Sequence, residues 1–191
     1  MTTLLSRRTL LAAAFLTLVG AAAARAEFNL MPDLDNNIAA AATANNLDQV
    51  RKLIAQGSKV NYTDAQGRTG LIYAANAGYT AVAKVLLENG ARTAIADRTG
   101  NAALHYAAEG GHLAIVELLL AAKAGIDQQN REGATPLMLA ASRGRAAVVK
   151  LLIERGADLT VTDYTGRRAV DWAQDHRQSR IAQMLRQADR K

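Results

Sequence analysis

The sequence predicts an all-α solenoid of stacked helix-turn-helix units. The first observation behind this is a step of 33 residues. Gly67, Gly100, Gly133 and Gly166 keep it, as do Asp64, Asp97, Asn130 and Asp163, and Leu71, Leu104, Leu137 and Val170. The pairs Ala74-Ala75, Ala107-Ala108 and Ala140-Ala141 share the phase, and so do Gly78, Gly111 and Gly144. The second observation is composition. Half of the 191 residues are hydrophobic but only 4% are aromatic, so alanine and leucine, both strong helix formers, carry the apolar content. The third is that only Pro32 and Pro136 could interrupt a helix. A unit of this size cannot bury its apolar face alone, whereas stacked copies can.

The chain opens on a basic head, "MTTLLSRR", then an apolar run of sixteen, "TLLAAAFLTLVGAAAA", then Ala24-Arg25-Ala26. Residues 1–26 read as a signal peptide, with the mature chain starting at Glu27. An uncleaved anchor is the competing reading, although the apolar run is short for a membrane span. "SRRTLL" is similar to the twin-arginine export motif, with Leu10 where that motif usually has Phe and Ala12 where it often has Lys. An ordinary Sec signal with two arginines fits as well. Cysteine is absent, which excludes a lipoprotein anchor, a disulfide framework, a thiolate metal site and a cysteine nucleophile. The expected destination is the periplasm of a Gram-negative bacterium, with no stable membrane association after cleavage.

Losing Arg7, Arg8 and Arg25 with the leader lowers the formal net charge from +6 to +3. Seven basic residues against four aspartates from Asp163 onward account for all of that remainder. The excess is therefore terminal and forms no nucleic-acid stripe.

Residues 27–34 read as a linker, followed by about five repeats near 35–63, 64–96, 97–129, 130–162 and 163–191. "DAQG", "DRTG", "NREG" and "DYTG" are tight turns, in which Asp or Asn bonds its own backbone and Gly takes positive φ. A helix with leucine and the alanine pair on its buried side follows. Gly78, Gly111 or Gly144 then breaks the chain, and a second helix carries residues such as Ile115, Val116, Leu118 and Leu119 at helical spacing. The outermost units are degenerate caps. The first has Gln49 and Lys52 at positions that are apolar later, and the last has Gln174, Arg177 and Arg186 as a polar outer face. Lys123 replaces the loop glycine of Gly57, Gly90 and Gly156, with Gly125 two residues on as an alternative place to turn.

"NAALHYAAEGGHLAIVELLL", "GATPLMLAASRGRAAVVKLLIERGAD" and "GRTGLIYAANAGYTAVAKVLLENGA" together resemble the ankyrin repeat, whose 33-residue unit joins a β-turn hairpin to two antiparallel helices. The resemblance runs from about Asp35 to the C-terminus. It implies scaffold roles for two histidines whose closeness in sequence otherwise suggests a metal site. His105 takes the histidine place of the "TPLH" motif, bonding backbone near the hairpin, and His112 takes that of "GH", fixing the inter-helix loop. Gly110-Gly111 separates them, so they do not share a helix face as paired zinc ligands do. His176 reads as a solvated surface residue. The row Tyr73, Tyr106, Leu139 and Trp172 reads as packing between successive first helices.

No nucleophile elbow, phosphate loop or forced carboxylate pair occurs, so the reading is of a non-enzyme with no cofactor and no metal. The resemblance implies a protein-binding module, monomeric, meeting its partner on hairpin tips and the concave side. In this sequence those places hold Gln66, Arg68 and Asn76 in one unit, then Arg98, Asn101 and Glu109 in the next. Arg131, Glu132, Ser142 and Arg143 follow, then Tyr164, Arg167 and Asp175. Arg98, Arg131 and Tyr164 share one phase and should form a single row along the tips. Exported bacterial relatives of this size look like accessory factors in stress defence or toxin neutralisation. The alternative class is a small-molecule or haem carrier, supported only by His105, His112, Met31, Met138, Met184 and the tyrosine row.

Overall fold

A computed structural model describes residues 37–190. The leader at 1–26 and the linker at 27–34 lie outside the described residues. Ten helices form five consecutive pairs among them. The pairs are α1 (Ile38–Thr43) with α2 (Leu47–Ala55), α3 (Gly70–Ala77) with α4 (Thr80–Glu88), and α5 (Ala103–Gly110) with α6 (Leu113–Ala121). The last two are α7 (Pro136–Ser142) with α8 (Ala146–Glu154), and α9 (Ala169–Asp175) with α10 (Ser179–Ala188). The first helices pack in the order α1, α3, α5, α7, α9, and the second helices stack beside them in the same order.

One continuous core runs through the stack. Ala74, Ala75, Ala107, Ala108, Ala140 and Ala141 are fully buried, where their small side chains let first helices approach closely. Leu71, Leu104 and Leu137 lie beside them, with Val82, Val116 and Val149 from the second helices. The caps keep their polar side outward, since Lys52, Gln174 and Arg186 are exposed.

The turns repeat to the bond. Asp64 N–H donates to Arg68 O (3.0 Å), Asp97 to Asn101 (3.1 Å), Asn130 to Ala134 (3.0 Å) and Asp163 to Arg167 (2.9 Å). The expected β-hairpins do not develop into strands among the described residues, and only one isolated bridge, Ala96 with Ala102, is present. A second bond within each turn, such as Gly100 N–H to Asp97 O (2.9 Å), closes the turn itself and extends no ladder.

Left-handed backbone recurs at fixed phases. Gly78, Gly111 and Gly144 hold φ of 79°, 80° and 69°, and the equivalent residues of the caps, Asn45 and Arg177, adopt 53° and 59° without being glycine. These glycines also answer a second demand. A Cβ on Gly78 would lie 2.7 Å from the His112 ring, one on Gly111 2.7 Å from the Arg145 chain, and one on Gly144 2.5 Å from Gln178. Each is the seat of a side chain from the next repeat.

Lys123 adopts φ of 60° itself, so Gly125 does not relocate the turn. The chain end of the second helix fixes the geometry: Lys123 N–H donates to Leu120 O (3.0 Å) and Ala124 N–H to Leu119 O (2.9 Å). Lys123 is exposed, so Lys123→Gly is expected to stabilise the fold by about 1 kcal/mol. Urea unfolding would register this as a higher midpoint at constant slope.

Candidate binding surface

The surface is set by the turn residues. In each of the four repeats from Asp64 onward the turn Oδ1 caps two backbone amides. Asp64 accepts from Gln66 and Arg68 (both 2.9 Å), Asp97 from Thr99 (2.9 Å) and Asn101 (3.1 Å). Asn130 accepts from Glu132 and Ala134 (both 2.9 Å), and Asp163 from Thr165 and Arg167 (both 2.9 Å). Asp and Asn are interchangeable for this role, because both carry Oδ1.

The second side-chain atom distinguishes them. Tyr73 donates its hydroxyl to Asp64 Oδ2 (2.5 Å), Tyr106 to Asp97 Oδ2 (2.6 Å), and the Trp172 indole to Asp163 Oδ2 (2.8 Å). In the remaining unit the turn residue is Asn130 and the residue nine further on is Leu139, which has no donor. Asn130 instead donates Nδ2 to Asn101 Oδ1 (2.9 Å). Turn residue and inner-helix residue thus change together. The row packs against the core as expected, and three of its four members also donate to a turn carboxylate.

Asp97 is 7% exposed and Asp163 4% exposed. Burial works against the charged form of Asp97. Hydrogen bonds from the Thr99 and Tyr106 hydroxyls and from the Thr99 and Asn101 amides outweigh it and hold the pKa down at about 2. Asp163 follows the same balance. Burial opposes ionisation, and the Thr165 hydroxyl, the Trp172 indole and the Arg167 and Thr165 amides hold it well below the carboxylate range.

The carboxylates claim several of the expected partner-binding residues. Arg68 pairs with Asp97 Oδ2 (3.3 Å), donates to Tyr106 Oη (3.2 Å), and lies over the rings of Tyr73 and Tyr106 at 5.8 and 5.5 Å. Arg167 pairs with Asp163 (3.0 Å) and Asp175 (3.4 Å) and covers Trp172 at 5.0 Å. Arg143 pairs with Glu109 (2.7 Å), Asn101 accepts from Asn130, and Ser142 is buried with its hydroxyl donating to Leu139 O (2.9 Å). Arg68, Asn101, Glu109, Ser142, Arg143, Arg167 and Asp175, all expected to meet the partner, thus each hold an intramolecular hydrogen bond or ion pair.

The tip residues differ. Arg98 N–H donates to Gln66 O (2.9 Å), Arg131 N–H to Thr99 O (3.1 Å) and Tyr164 N–H to Glu132 O (3.2 Å), so successive tips are joined backbone to backbone. Gln66, Asn76, Arg98, Arg131 and Glu132 are exposed, and Tyr164 is 73% exposed. None of the six side chains has a hydrogen-bond or ion-pair partner among the described residues.

The histidines are each engaged. His105 is fully buried, and its Nδ1 accepts from the Ala102 N–H (3.1 Å). Burial pushes its imidazole pKa down, against the backbone of Gln128 and Ala134 and the Asp97 carboxylate. His112 donates Nε2 to Asn76 O (3.2 Å), and Arg145, one repeat on, donates to Glu109 O (3.0 Å). His176 is not merely solvated, because it donates to Trp172 O (2.8 Å) and stacks on that ring. Met138 lies buried, with Sδ accepting from Thr135 N–H (3.4 Å). Of the side chains on which a haem reading rests, His105, His112 and Met138 thus bond different neighbours, and Met31 lies outside the described residues.

The pairing of turn and aromatic residues was not read from the sequence, although its signal is there: a nine-residue offset in which Asn goes with Leu. The inter-repeat row of His112 and Arg145 was likewise visible only as a shared phase. A family model described as ankyrin repeats (3 copies) matches residues 38–130 and 118–191. No curated protein matches the chain.

Proposed function

Because the chain belongs to the ankyrin-repeat family, whose repeats are protein-binding scaffolds, we propose that it is a non-enzymatic scaffold gripping its partner by the hairpin tips. The observation that carries this is the division among its arginines. Arg68, Arg143 and Arg167 are spent on carboxylates of the stack, whereas Arg98 and Arg131 are exposed and hold none among the described residues. Arginine and tyrosine dominate interface hot spots, and Tyr164 continues the row. Gln66 and Glu132, whose carbonyls accept from the Arg98 and Tyr164 amides, are its polar surroundings.

The leader-like head supports export, so the site of action proposed is the periplasm. The role proposed there is that of an accessory factor in stress defence or toxin neutralisation. The test is capture from periplasmic extract on immobilised wild-type protein and on the Arg98→Ala/Arg131→Ala variant. A protein retained by the first and lost from the second, at equal melting temperature, is the expected result. Equal retention would refute the tip reading.

A further inference from the structure

Resting on the tip reading above, we infer that the partner presents an extended acidic segment with carboxylates three residues apart. Arg98 and Arg131 each receive one carboxylate, and Tyr164 receives an apolar residue a further three along. The argument starts from spacing. Arg98 and Arg131 occupy the same position of consecutive turns, and those turns are locked together by Arg131 N–H to Thr99 O (3.1 Å). Their separation is therefore one repeat of the stack, which for directly packed helices is about 8–10 Å. A polyproline-II segment rises about 3.1 Å per residue with three residues per turn, so residues three apart lie about 9 Å apart on the same edge. A β-strand covers a similar distance in three residues but turns alternate side chains to opposite faces. The tips match the first geometry and not the second.

Charge gives the chemistry. Two arginines with no acid partner among the described residues are fork-shaped donors suited to carboxylates. Tyr164, 73% exposed on the next tip, offers the aromatic surface on which extended proline-rich chains dock. Glu132 sits beside Arg131, is exposed, and pairs with no cation among the described residues. It repels a chain charged at every step, so the surface favours spaced acids over a uniform polyanion.

The probe is a fluorescein-labelled peptide, Gly-Glu-Pro-Pro-Glu-Pro-Pro-Pro-Gly, titrated with the full-length protein and followed by anisotropy. Its isomer Gly-Glu-Glu-Pro-Pro-Pro-Pro-Pro-Gly has the same composition and charge. The spaced peptide is expected to bind roughly fivefold tighter than the isomer, and Arg98→Ala or Arg131→Ala should each remove that advantage. Equal affinity for the two peptides, absence of binding, or binding unchanged by both substitutions overturns the spacing. Tighter binding of heparin than of the spaced peptide overturns the acidic-peptide assignment in favour of general anion attraction. The broader tip reading is judged separately: it stands if the captured partner still loses affinity for the double arginine variant, and it falls if that partner binds the variant as well as wild type.

Discussion

Asp97→Ala is expected to destabilise the protein by about 3–4 kcal/mol, while Asp97→Asn costs only about 1–2 kcal/mol. Alanine removes both oxygens, orphaning the amides of Thr99 and Asn101, the Tyr106 hydroxyl and the Arg68 guanidinium together. Asparagine keeps Oδ1 and so keeps the turn. It sets its Nδ2 against the Tyr106 hydroxyl and loses the charge that faced Arg68. The molecule contains its own control, because the next repeat uses Asn130 with Leu139. Asp97→Asn should therefore be milder on a Tyr106→Leu background than alone, giving a coupling of about 1 kcal/mol in a double-mutant cycle. Acid unfolding supplies a second reading. The Asp97 pKa is depressed on folding to about 2, so its contribution is fully present above the ordinary aspartate value of about 3.9 and is lost as pH falls toward 2. Roughly 2 kcal/mol of stability belongs to that window, and Asp97→Asn should abolish that part of the acid dependence.

Gly100→Ala is expected to cost about 3 kcal/mol, against about 1 kcal/mol for Gly166→Ala. Both glycines adopt left-handed backbone, with φ of 81° and 82°, so both substitutions meet the same conformational cost. Only Gly100 meets a second one, since its Cβ would stand 2.7 Å from the Arg131 backbone nitrogen. That neighbour is backbone and cannot rotate aside. Nothing lies within 4 Å of the Gly166 position. The difference between the two variants in chemical denaturation measures how tightly successive tips are seated. Equal losses would mean that the tips do not touch in solution.

The architecture was legible in the sequence because its causes are periodic. A buried leucine, an alanine pair and a left-handed glycine are each demanded once per unit, so their phase exposes them. Periodicity also gave the exposed row of Arg98, Arg131 and Tyr164. It failed where a long side chain reaches another phase. Arg68 stands where a tip residue should face solvent, but its guanidinium crosses to Asp97 in the next repeat, 29 residues on. Glu109 and Arg143, 34 residues apart, are joined in the same way. Ser142 shares a phase with exposed Asn76 and Asp175, yet its short side chain turns its hydroxyl back to Leu139 O and is buried. Exposure at a repeat position is a property of the neighbours as much as of the position. Lys123 shows the converse: the hydrogen bonds of the helix end hold their geometry even against a side chain poorly suited to it.

The central claim is that the arginines divide into those that hold the stack and those that meet the partner. Its most direct measurement compares Arg68→Ala with Arg98→Ala/Arg131→Ala, taking a thermal melt and the affinity for the captured partner on each. Removing Arg68 leaves buried Asp97 without its counter-charge, so about 1 kcal/mol is lost and the melting temperature falls by about 2–4 °C while the affinity changes less than twofold. Removing Arg98 and Arg131 is expected to leave the melt within about 1 °C, as surface changes usually do, and to weaken binding at least tenfold. The reverse pattern, with Arg68 governing binding and the tip arginines governing the melt, would contradict the account.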